Sequence, residues 1–411
     1  MNKKILVLVE SLDRASSGGK ANLAIIKNLN LNFEVTVAHY SKKPLTLHGI
    51  KLLYIPERKI SGFYFLSRLQ RLVQRKTGII LSHFLENIFG FSFTFFNDTK
   101  SIKKEFSAQF CPNDFDLLIT LSQGASFRPH YAVLNLLAWH KKWLAYIHDP
   151  YPFYYYPYPY GYKQAGHNFK KIFFEEISQK AAYIGFPSLL LQKWMTNYFP
   201  KFKGKSLVIP HQLYRNYVED LEVMPGFNST NFNILHAGNL IGGRSPEGLL
   251  KGFAMFLKHN PNSKGKCFLW LLGPHNYYKE LIEVYKNKTN QIIVSDGYVD
   301  YSKALWAQQN ASVNVILEGA GKISPFLPGK FPHCIAANKP ILALTPKKSE
   351  LRRLMGKKYL YMNEPNDYLG IKYSLQKIFE DWLIDNELKL NRNDLREYIS
   401  ADFLKEVLNK I

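Results

Sequence analysis

Two glycine-rich segments in the second half of the chain combine backbone amides with a cation. Gly243 and Arg244 follow one apolar run, and a second stretch begins at Glu318 and leads through Ser324 to Lys330. Backbone N–H groups at a strand-to-helix turn bind phosphate, and an arginine can hold a diphosphate through paired hydrogen bonds. Together such residues could form a site for the phosphates of an anionic ligand.

Residues in the first half could bind or move a proton on a second molecule. Gly18 and Gly19 follow the apolar run Ile5–Val9, without a dinucleotide or P-loop fingerprint, and we expect them to contact a phosphate or a sugar. His148 and Asp149 end a later apolar run, where such a pair can bind hydroxyls or relay a proton. The alternatives are a plain surface turn and a loop histidine bonded to backbone.

An aromatic segment follows directly, and it is built almost entirely of tyrosine, phenylalanine and proline over residues 151–162. We expect Tyr151, Tyr154 and Tyr155 to contact a sugar acceptor, because aromatic faces stack on the C–H faces of sugars. Stacking on nucleic-acid bases or packing of the loop between domains would produce the same composition.

Residues 51–110 form a basic and aromatic region with ten Lys and Arg against four Asp and Glu. Arg68, Arg71 and Arg75 interleave with phenylalanine and leucine, which is typical of a helix that lies on anionic lipid. A helical insertion that packs on its own domain is the alternative.

The elements that must position these residues are strands alternating with helical segments. The apolar runs lack polar alternation, which indicates parallel strands buried on both faces. The predicted strands are Ile5–Val9, Val35–Ala38, Leu52–Ile55, Leu117–Leu121, Leu144–Ile147, Tyr183–Phe186, Leu207–Ile209, Ile234–Ala237, Phe268–Leu272, Ile292–Val294, Val313–Ile316, Ile341–Leu344 and Leu360–Met362.

The fold class predicted from this pattern is α/β, with two Rossmann-like doubly wound domains facing a central cleft. Turn signals in residues 211–231 place the boundary, so the predicted domains are 1–210 and 211–390. Residues 391–411 form a predicted C-terminal helix that crosses back to the first domain.

Composition narrows the class of partner and compartment. Apolar residues make up 46% and charged residues 21%, which excludes a disordered chain. The net charge of +22 predicts an anionic partner. Three separated cysteines give no disulfide framework or metal-type spacing, and we expect a cytoplasmic protein without a signal peptide.

The layout resembles a GT-B-fold glycosyltransferase of the retaining family 4 type, including its surface-polysaccharide members. Four features carry the resemblance: the turn at Gly18 and Gly19, the His148-Asp149-Pro150 motif, the turn before Arg244, and the block from Glu318 through Lys330 to Leu342. His333 stands where that family usually has its second glutamate.

The resemblance implies transfer of a sugar from a nucleotide-diphosphate donor, with retention and without a metal or other cofactor. The second domain would hold the donor and the first the acceptor, which would be a glycan or a lipid-linked glycan. The implied diphosphate-binding residues are Gly18, Gly19, Gly243, Arg244, Ser324 and Lys330, and the implied nucleoside-binding residues are Gly297, Tyr298, Val299 and His333. Glu318 would contact donor-sugar hydroxyls, with His148 and Asp149 near the reacting centre.

Two other functions share this fold. A nucleotide-sugar 2-epimerase would need no acceptor and no basic aromatic region. A catalytically inactive basic scaffold would bind membrane or nucleic acid. The resemblance favours the transferase in lipopolysaccharide or other surface-glycan assembly, with no nucleic acid as partner and with a peripheral position on the inner face of the cell membrane.

Overall fold

A computed structural model describes residues 3–12, 16–41, 43–78, 80–214 and 221–411. Contacts between Cα atoms divide the chain into two compact units. Unit 1 comprises Met1–Tyr156, Tyr160–Tyr214 and Ala401–Ile411, and unit 2 comprises Pro157–Pro159 and Arg215–Ser400.

Each unit is built on a parallel β-sheet. The strands are β1 (Lys4–Val9), β2 (Glu34–His39), β3 (Lys51–Tyr54), β4 (Leu117–Leu121), β5 (Trp143–Tyr146), β6 (Tyr183–Phe186), β7 (Ser206–Val208), β8 (Phe232–Ala237), β9 (Cys267–Leu272), β10 (Ile292–Val294), β11 (Val313–Leu317), β12 (Ile323–Ser324), β13 (Ile341–Leu344), β14 (Lys348–Ser349) and β15 (Met362–Asn363). Unit 1 has the order β3-β2-β1-β4-β5-β6-β7, and unit 2 has β10-β9-β8-β11-β13-β15 with a separate β12-β14 pair.

Helices connect the strands in both units, as the alternating pattern predicts. They are α1 (Ser17–Asn30), α2 (Gly62–Thr77), α3 (Ser82–Phe89), α4 (Phe93–Gln109), α5 (Arg128–Leu134), α6 (His167–Lys180), α7 (Leu189–Tyr198), α8 (Glu247–His259), α9 (Lys279–Lys286), α10 (Tyr301–Asn310), α11 (Phe331–Ala337), α12 (Glu350–Met355), α13 (Tyr368–Ile384), α14 (Asn393–Tyr398) and α15 (Ala401–Asn409). Among the described residues, none of these helices is long and apolar enough to cross a bilayer.

Side chains cover both faces of the unit 1 sheet. On β1, Leu6 and Leu8 pack into a hydrophobic cluster that includes side chains of α4 and α6. Val7 and Val9 point into a second cluster, which includes α1 and α15. Because both faces exclude water, the strands read as continuous apolar runs.

The unit 2 sheet is covered in the same way. Ile234 on β8 packs with side chains of α8 and α13, whereas the next residue, Leu235, packs with Trp270 and with Ala307 of α10. The carboxyl ends of β8, β11 and β13 are neighbours in this sheet, so the residues that follow these three strands lie along one edge.

The C-terminal segment is two helices, whereas the sequence predicts one. α14 ends at Tyr398 and α15 begins at Ala401. Leu404 and Leu408 of α15 are buried against β1 and α1 in unit 1, whereas α14 and the rest of residues 391–400 belong to unit 2. The functional roles of the two predicted domains stay predictions.

Candidate functional site

Glu318 directly follows β11 and lies almost completely buried in unit 2, with 4% of its surface exposed. Ser324 donates a hydrogen bond of 2.9 Å to its Oε1, and Thr345, which follows β13, donates to its Oε2. Burial raises the pKa of Glu318 to about 7, although both hydroxyls and the nearby Arg244 act in the opposite direction. The carboxyl group therefore changes charge close to neutral pH.

Lys330 ends the same loop and faces His236, which is the fifth residue of β8. The Nζ of Lys330 lies 3.3 Å from Nδ1 and 3.4 Å from Nε2 of His236, so the amine sits against the ring between both nitrogens. Burial, and then the charge of Arg244, lowers the pKa of Lys330 to about 7. The pKa of His236 lies well below its usual value, because burial lowers it most and the charges of Lys330 and Arg244 lower it further. This histidine is therefore neutral at pH 7.

The turn after β8 is shaped to admit this lysine. Gly238 has φ +149, and a Cβ at this position would lie 3.0 Å from the Nζ of Lys330. Glycine therefore leaves the room that the amine occupies, because a Cβ here would crowd it and would also be strained at this φ.

Arg244 lies on the glycine-rich turn after β8, which the sequence predicts to bind a diphosphate. Its backbone N–H closes the turn onto the carbonyl of Ile241 at 3.0 Å, and Gly243 before it has φ +82. One guanidinium nitrogen donates to the carbonyl of Asn239 at 3.4 Å, while the buried Nε has no hydrogen-bond partner. Arg244 lies near enough to lower the pKa of Lys330 and to act on Glu318.

Five residues thus come together at the carboxyl edge of one sheet, and we name them the unit 2 cluster: His236, Arg244, Glu318, Ser324 and Lys330. The sequence predicted four of them as site residues. Within the described part of the chain, neither cation of the cluster makes an ion pair with a carboxylate. Arg244 and Lys330 without an ion-paired carboxylate, beside a neutral histidine, are an arrangement that can bind an anion.

The residues predicted to bind a nucleoside also lie in unit 2. Tyr298 is 80% exposed, and Gly297 before it has φ +71. The side chain of Val299 packs into the cluster around Trp270, which leaves its backbone for other contacts. His333 lies on the first turn of α11, where its Nε2 is 2.8 Å from the hydroxyl of Tyr301.

His148 of unit 1 is held in one orientation by Asn22 of α1. The amide of Asn22 donates to the carbonyl of Ser122 at 3.0 Å, so its oxygen faces His148 Nε2 at 2.9 Å. Nε2 therefore carries the proton and Nδ1 is the basic nitrogen. Burial, and then His211 and His130, lowers the pKa of His148 well below its usual value. Burial raises the pKa of the adjacent Asp149 to about 6.

Gly18 and Gly19 begin α1, as predicted for the first glycine turn. Ser16 caps this helix, and its hydroxyl accepts the Gly19 N–H at 3.0 Å and the side-chain amide of Gln123 at 2.9 Å. The Gly19 amide is thus already used by the cap, which leaves the Gly18 amide as the predicted phosphate contact.

Two tyrosines of the aromatic segment belong to the core, which corrects the expectation that they stack on a sugar. Tyr151 is 3% exposed, and its ring lies 4.7 Å from that of Phe174. Tyr155 is 8% exposed and stacks on Tyr198 at 4.1 Å. Their ring faces are covered by other side chains, so neither can stack on a sugar in this arrangement. Tyr154 is 58% exposed and can do so.

A buried charge network in unit 1 was not predicted from the sequence. Arg128 forms ion pairs of 2.8 Å with both Glu10, which follows β1, and Asp98 on α4. Tyr40, which follows β2, donates to Asp98 at 2.8 Å. Arg128 lines a cavity of about 160 Å³, and Asp98 lines another of about 260 Å³. The sequence contains one signal of this network, which is the acidic Glu10 at the end of the first strand. The other members could not be found from the sequence because they lie far along the chain from Glu10.

Neither a protein-family model nor a curated protein sequence matches the chain. Solved structures do match. HepE from Anabaena, in complex with UDP-glucose, has a TM-score of 0.61 at 12% identity, over 99% of this chain and all of its own. The α,α-trehalose-6-phosphate synthase of Burkholderia multivorans has a TM-score of 0.63 at 10% identity, over 100% and 98%. TarM has a TM-score of 0.63 at 11% identity, over 99% of this chain and 98% of its own.

These similarities extend over whole chains and concern the fold. The neighbours are GT-B glycosyltransferases, and this chain has the same pair of parallel-sheet α/β units. The predicted fold class is therefore confirmed. At these low identities the comparison assigns no substrate and no catalytic residue.

Proposed function

We propose that the protein is a glycosyltransferase that moves a sugar from a nucleotide-diphosphate sugar to an acceptor. The observation that carries the proposal is the unit 2 cluster, in which Arg244 contacts the carbonyl of Asn239 and Lys330 lies at the adjacent Gly238, and neither makes an ion pair with a carboxylate among the described residues. Bringing two cations together in a poorly solvated site is unfavourable unless an anion joins them. A diphosphate supplies that anion.

The diphosphate carries more negative charge when its bond to the sugar breaks. Fixed cations that lie where this charge develops lower the barrier to bond cleavage. Arg244 and Lys330 supply the positive charge from the protein, so the proposed reaction needs no metal ion. The neutral imidazole of His236 can donate one further hydrogen bond to a phosphate oxygen.

Glu318 is proposed to accept hydrogen bonds from hydroxyls of the donor sugar. Each of its oxygens already accepts one hydrogen bond, from the hydroxyl of Ser324 or of Thr345. Each oxygen keeps a second lone pair that can accept a hydrogen bond from a ligand. On the same proposal, Tyr298 and His333 contact the nucleoside, with Gly297 and Val299 contributing backbone groups.

The acceptor is proposed to bind unit 1 as a glycan or a lipid-linked glycan. His148 would orient the attacking hydroxyl through Nδ1, because Asn22 holds the other ring nitrogen. Asp149 and Tyr154 both lie in the segment that follows β5 of the unit 1 sheet. We propose retention at the anomeric carbon and a role in surface-polysaccharide or lipopolysaccharide assembly, in line with the resemblance of the 318–342 block.

The test is a screen of nucleotide-sugar donors with purified protein, in which release of free nucleotide is measured with and without glycan acceptors. We expect release with at least one donor and a loss of more than about a hundredfold in Arg244→Ala, the cost typical of removing one group that stabilises transition-state charge. Lys322→Ala is the matched control, because this exposed lysine lies in the same loop as Lys330.

The same screen separates the other functions. Conversion of the donor sugar to its 2-epimer in the absence of acceptor would replace the transferase by an epimerase. Absence of both reactions and of nucleotide binding would favour a basic scaffold without catalysis.

A further inference from the structure

Helix α2 exposes its most apolar residues to solvent. Phe65 is 61% exposed, Leu69 is 56% exposed and Leu72 is 50% exposed. The opposite side of the helix packs on α4, where Phe63 lies 5.3 Å from Phe96. In a surface helix of a globular protein the apolar stripe normally faces the core.

Helix geometry shows how far the arrangement departs from that rule. Successive residues turn by about 100° around the axis, so Phe65, Leu69 and Leu72 lie within an arc of roughly 60°. Ser67 is buried, with 2% exposed, and points about 170° away from the centre of that arc. The apolar stripe therefore faces away from the side on which α2 is packed.

By the same geometry Lys76 lies within this stripe and Arg68 and Arg75 lie on one side of it, and α2 contains no acidic residue. Arg68, Arg71, Arg75 and Lys76 are all exposed, and within the described residues none of them pairs with a carboxylate. Arg71 is held along the helix by a 3.1 Å hydrogen bond from its Nε to the carbonyl of Ser67. The solvent side of α2 is thus both apolar and strongly positive.

Helix α3 also exposes apolar residues. Phe84 is 63% exposed, and Ile88 and Phe89 are close to half exposed. The ring of Phe93 lies 5.6 Å from Phe89 at the end of α3 and 6.2 Å from Phe63 at the start of α2, which places these two helix ends together.

Helix α3 is also fixed to the body of unit 1. Lys170 of α6 forms a 2.7 Å ion pair with Glu86, and the N–H of Gly166 donates to the side chain of Asn87 at 3.0 Å. The exposure of the apolar residues of α3 is therefore a property of a docked helix.

We propose that α2 and α3 form a docking face for an anionic lipid bilayer. The face consists of Phe65, Leu66, Leu69, Leu72, Ile80, Phe84, Ile88 and Phe89 with the four cations of α2. The apolar side chains enter the boundary between headgroups and acyl chains, and the cations contact lipid phosphates. A second copy of the chain is the poorer occupant, because it would bring the same cations against each other. The inference does not depend on sugar transfer.

Co-sedimentation of the full-length protein with lipid vesicles tests the proposal. We expect association with vesicles of equimolar phosphatidylcholine and phosphatidylglycerol, little association with phosphatidylcholine alone, and weakening by salt. Arg68→Gln with Arg75→Gln and Lys76→Gln should reduce the partition coefficient roughly a hundredfold, from the usual contribution of each cation near an anionic surface. Phe65→Ser with Leu69→Ser and Leu72→Ser should reduce it at least as much.

Matched variants separate a docking face from a general effect of charge or hydrophobicity. Lys103→Gln with Lys104→Gln and Lys141→Gln removes three exposed cations of unit 1, and Leu383→Ser with Ile384→Ser removes two exposed apolar side chains of unit 2. Both controls should bind anionic vesicles like the wild type. All the changed side chains are exposed, so circular dichroism spectra should be unaltered.

Three results would overturn the proposal. One is no association of the wild type with anionic vesicles. Another is equal loss of binding in the control variants. The third is a dimer, seen by sedimentation velocity, that dissociates when Phe65, Leu69 and Leu72 are replaced by serine, since the face would then join two copies of the chain.

Discussion

Glutamine in place of Glu318 should stabilise the folded protein at alkaline pH. The carboxyl group is buried with two hydroxyl partners, and burial raises its pKa from 4.5 to about 7. A glutamine of nearly the same shape can keep a hydrogen bond to each hydroxyl, and it never has to carry a charge. The substitution therefore removes the cost of ionising a group in a poorly solvated site.

The size of the effect follows from proton linkage. The carboxyl group has a higher pKa in the folded than in the unfolded state. Below its unfolded-state pKa the group is protonated in both states and its contribution to folding is fully present. This contribution is lost as pH rises through the folded-state pKa. The difference between 4.5 and about 7 corresponds to about 3 kcal/mol. The free energy of unfolding of Glu318→Gln should thus equal that of the wild type near pH 4.5 and exceed it by up to about 3 kcal/mol above pH 7.

Differential scanning calorimetry at several pH values measures this. Above pH 7 we expect the variant to unfold roughly 6 to 12 °C higher, from the usual relation between free energy and midpoint in domains of this size. Glu350→Gln is the control of opposite sign, because Glu350 is buried in a 2.6 Å ion pair with Arg353 and its replacement leaves that cation unpaired. A stability difference for Glu318→Gln that does not change with pH would refute the reasoning.

Three further predictions concern other parts of the chain. Affinity for UDP, measured by calorimetry, should fall by up to about tenfold per pH unit above pH 7, because the pKa of Lys330 is about 7 and only the ammonium form attracts the diphosphate; Lys330→Arg should remove this dependence. Arg128→Met should lower the free energy of unfolding in urea by about 3–5 kcal/mol, since it leaves two buried carboxylates unpaired. Gly248→Ala should destabilise the protein by at least about 1–3 kcal/mol, because its Cβ would lie 2.0 Å from the carbonyl oxygen of Pro365, whereas Gly62→Ala, with open space around it, should change thermal stability little.

The sheets could be predicted from the sequence because their strands are covered on both faces. The apolar run Leu117–Leu121 coincides with β4, and the runs Ile292–Val294 and Ile341–Leu344 coincide with β10 and β13. Three of the four edge strands of the two large sheets, β3, β7 and β15, are displaced by one or two residues from the predicted runs, whereas the edge strand β10 is not.

The convergence of Arg244, Lys330 and Glu318 could be inferred because parallel strands bring the loops at their carboxyl ends to one edge. His236 was missed because it lies inside an apolar run, where nothing in the sequence distinguishes a site residue from a core histidine. Its role becomes visible only from the amine of Lys330 against its ring.

Two errors come from tertiary packing that local patterns do not contain. The tyrosines at 151 and 155 have a composition suited to sugar binding, but neighbouring aromatic rings cover them. The apolar spacing of residues 391–411 predicts one helix. However, Leu395 belongs to unit 2 and Leu404 to unit 1, and the helix is interrupted between them.

Isothermal titration calorimetry of UDP, GDP, ADP and CMP against the wild type, Arg244→Ala and Lys330→Met tests the central claim most directly. If the unit 2 cluster holds a diphosphate, at least one nucleoside diphosphate binds more tightly than CMP, and each substitution weakens that binding by roughly tenfold or more, as expected when a charge-assisted hydrogen bond is lost. Failure of every nucleotide to bind, or binding that neither substitution changes, would contradict the assignment of the cluster.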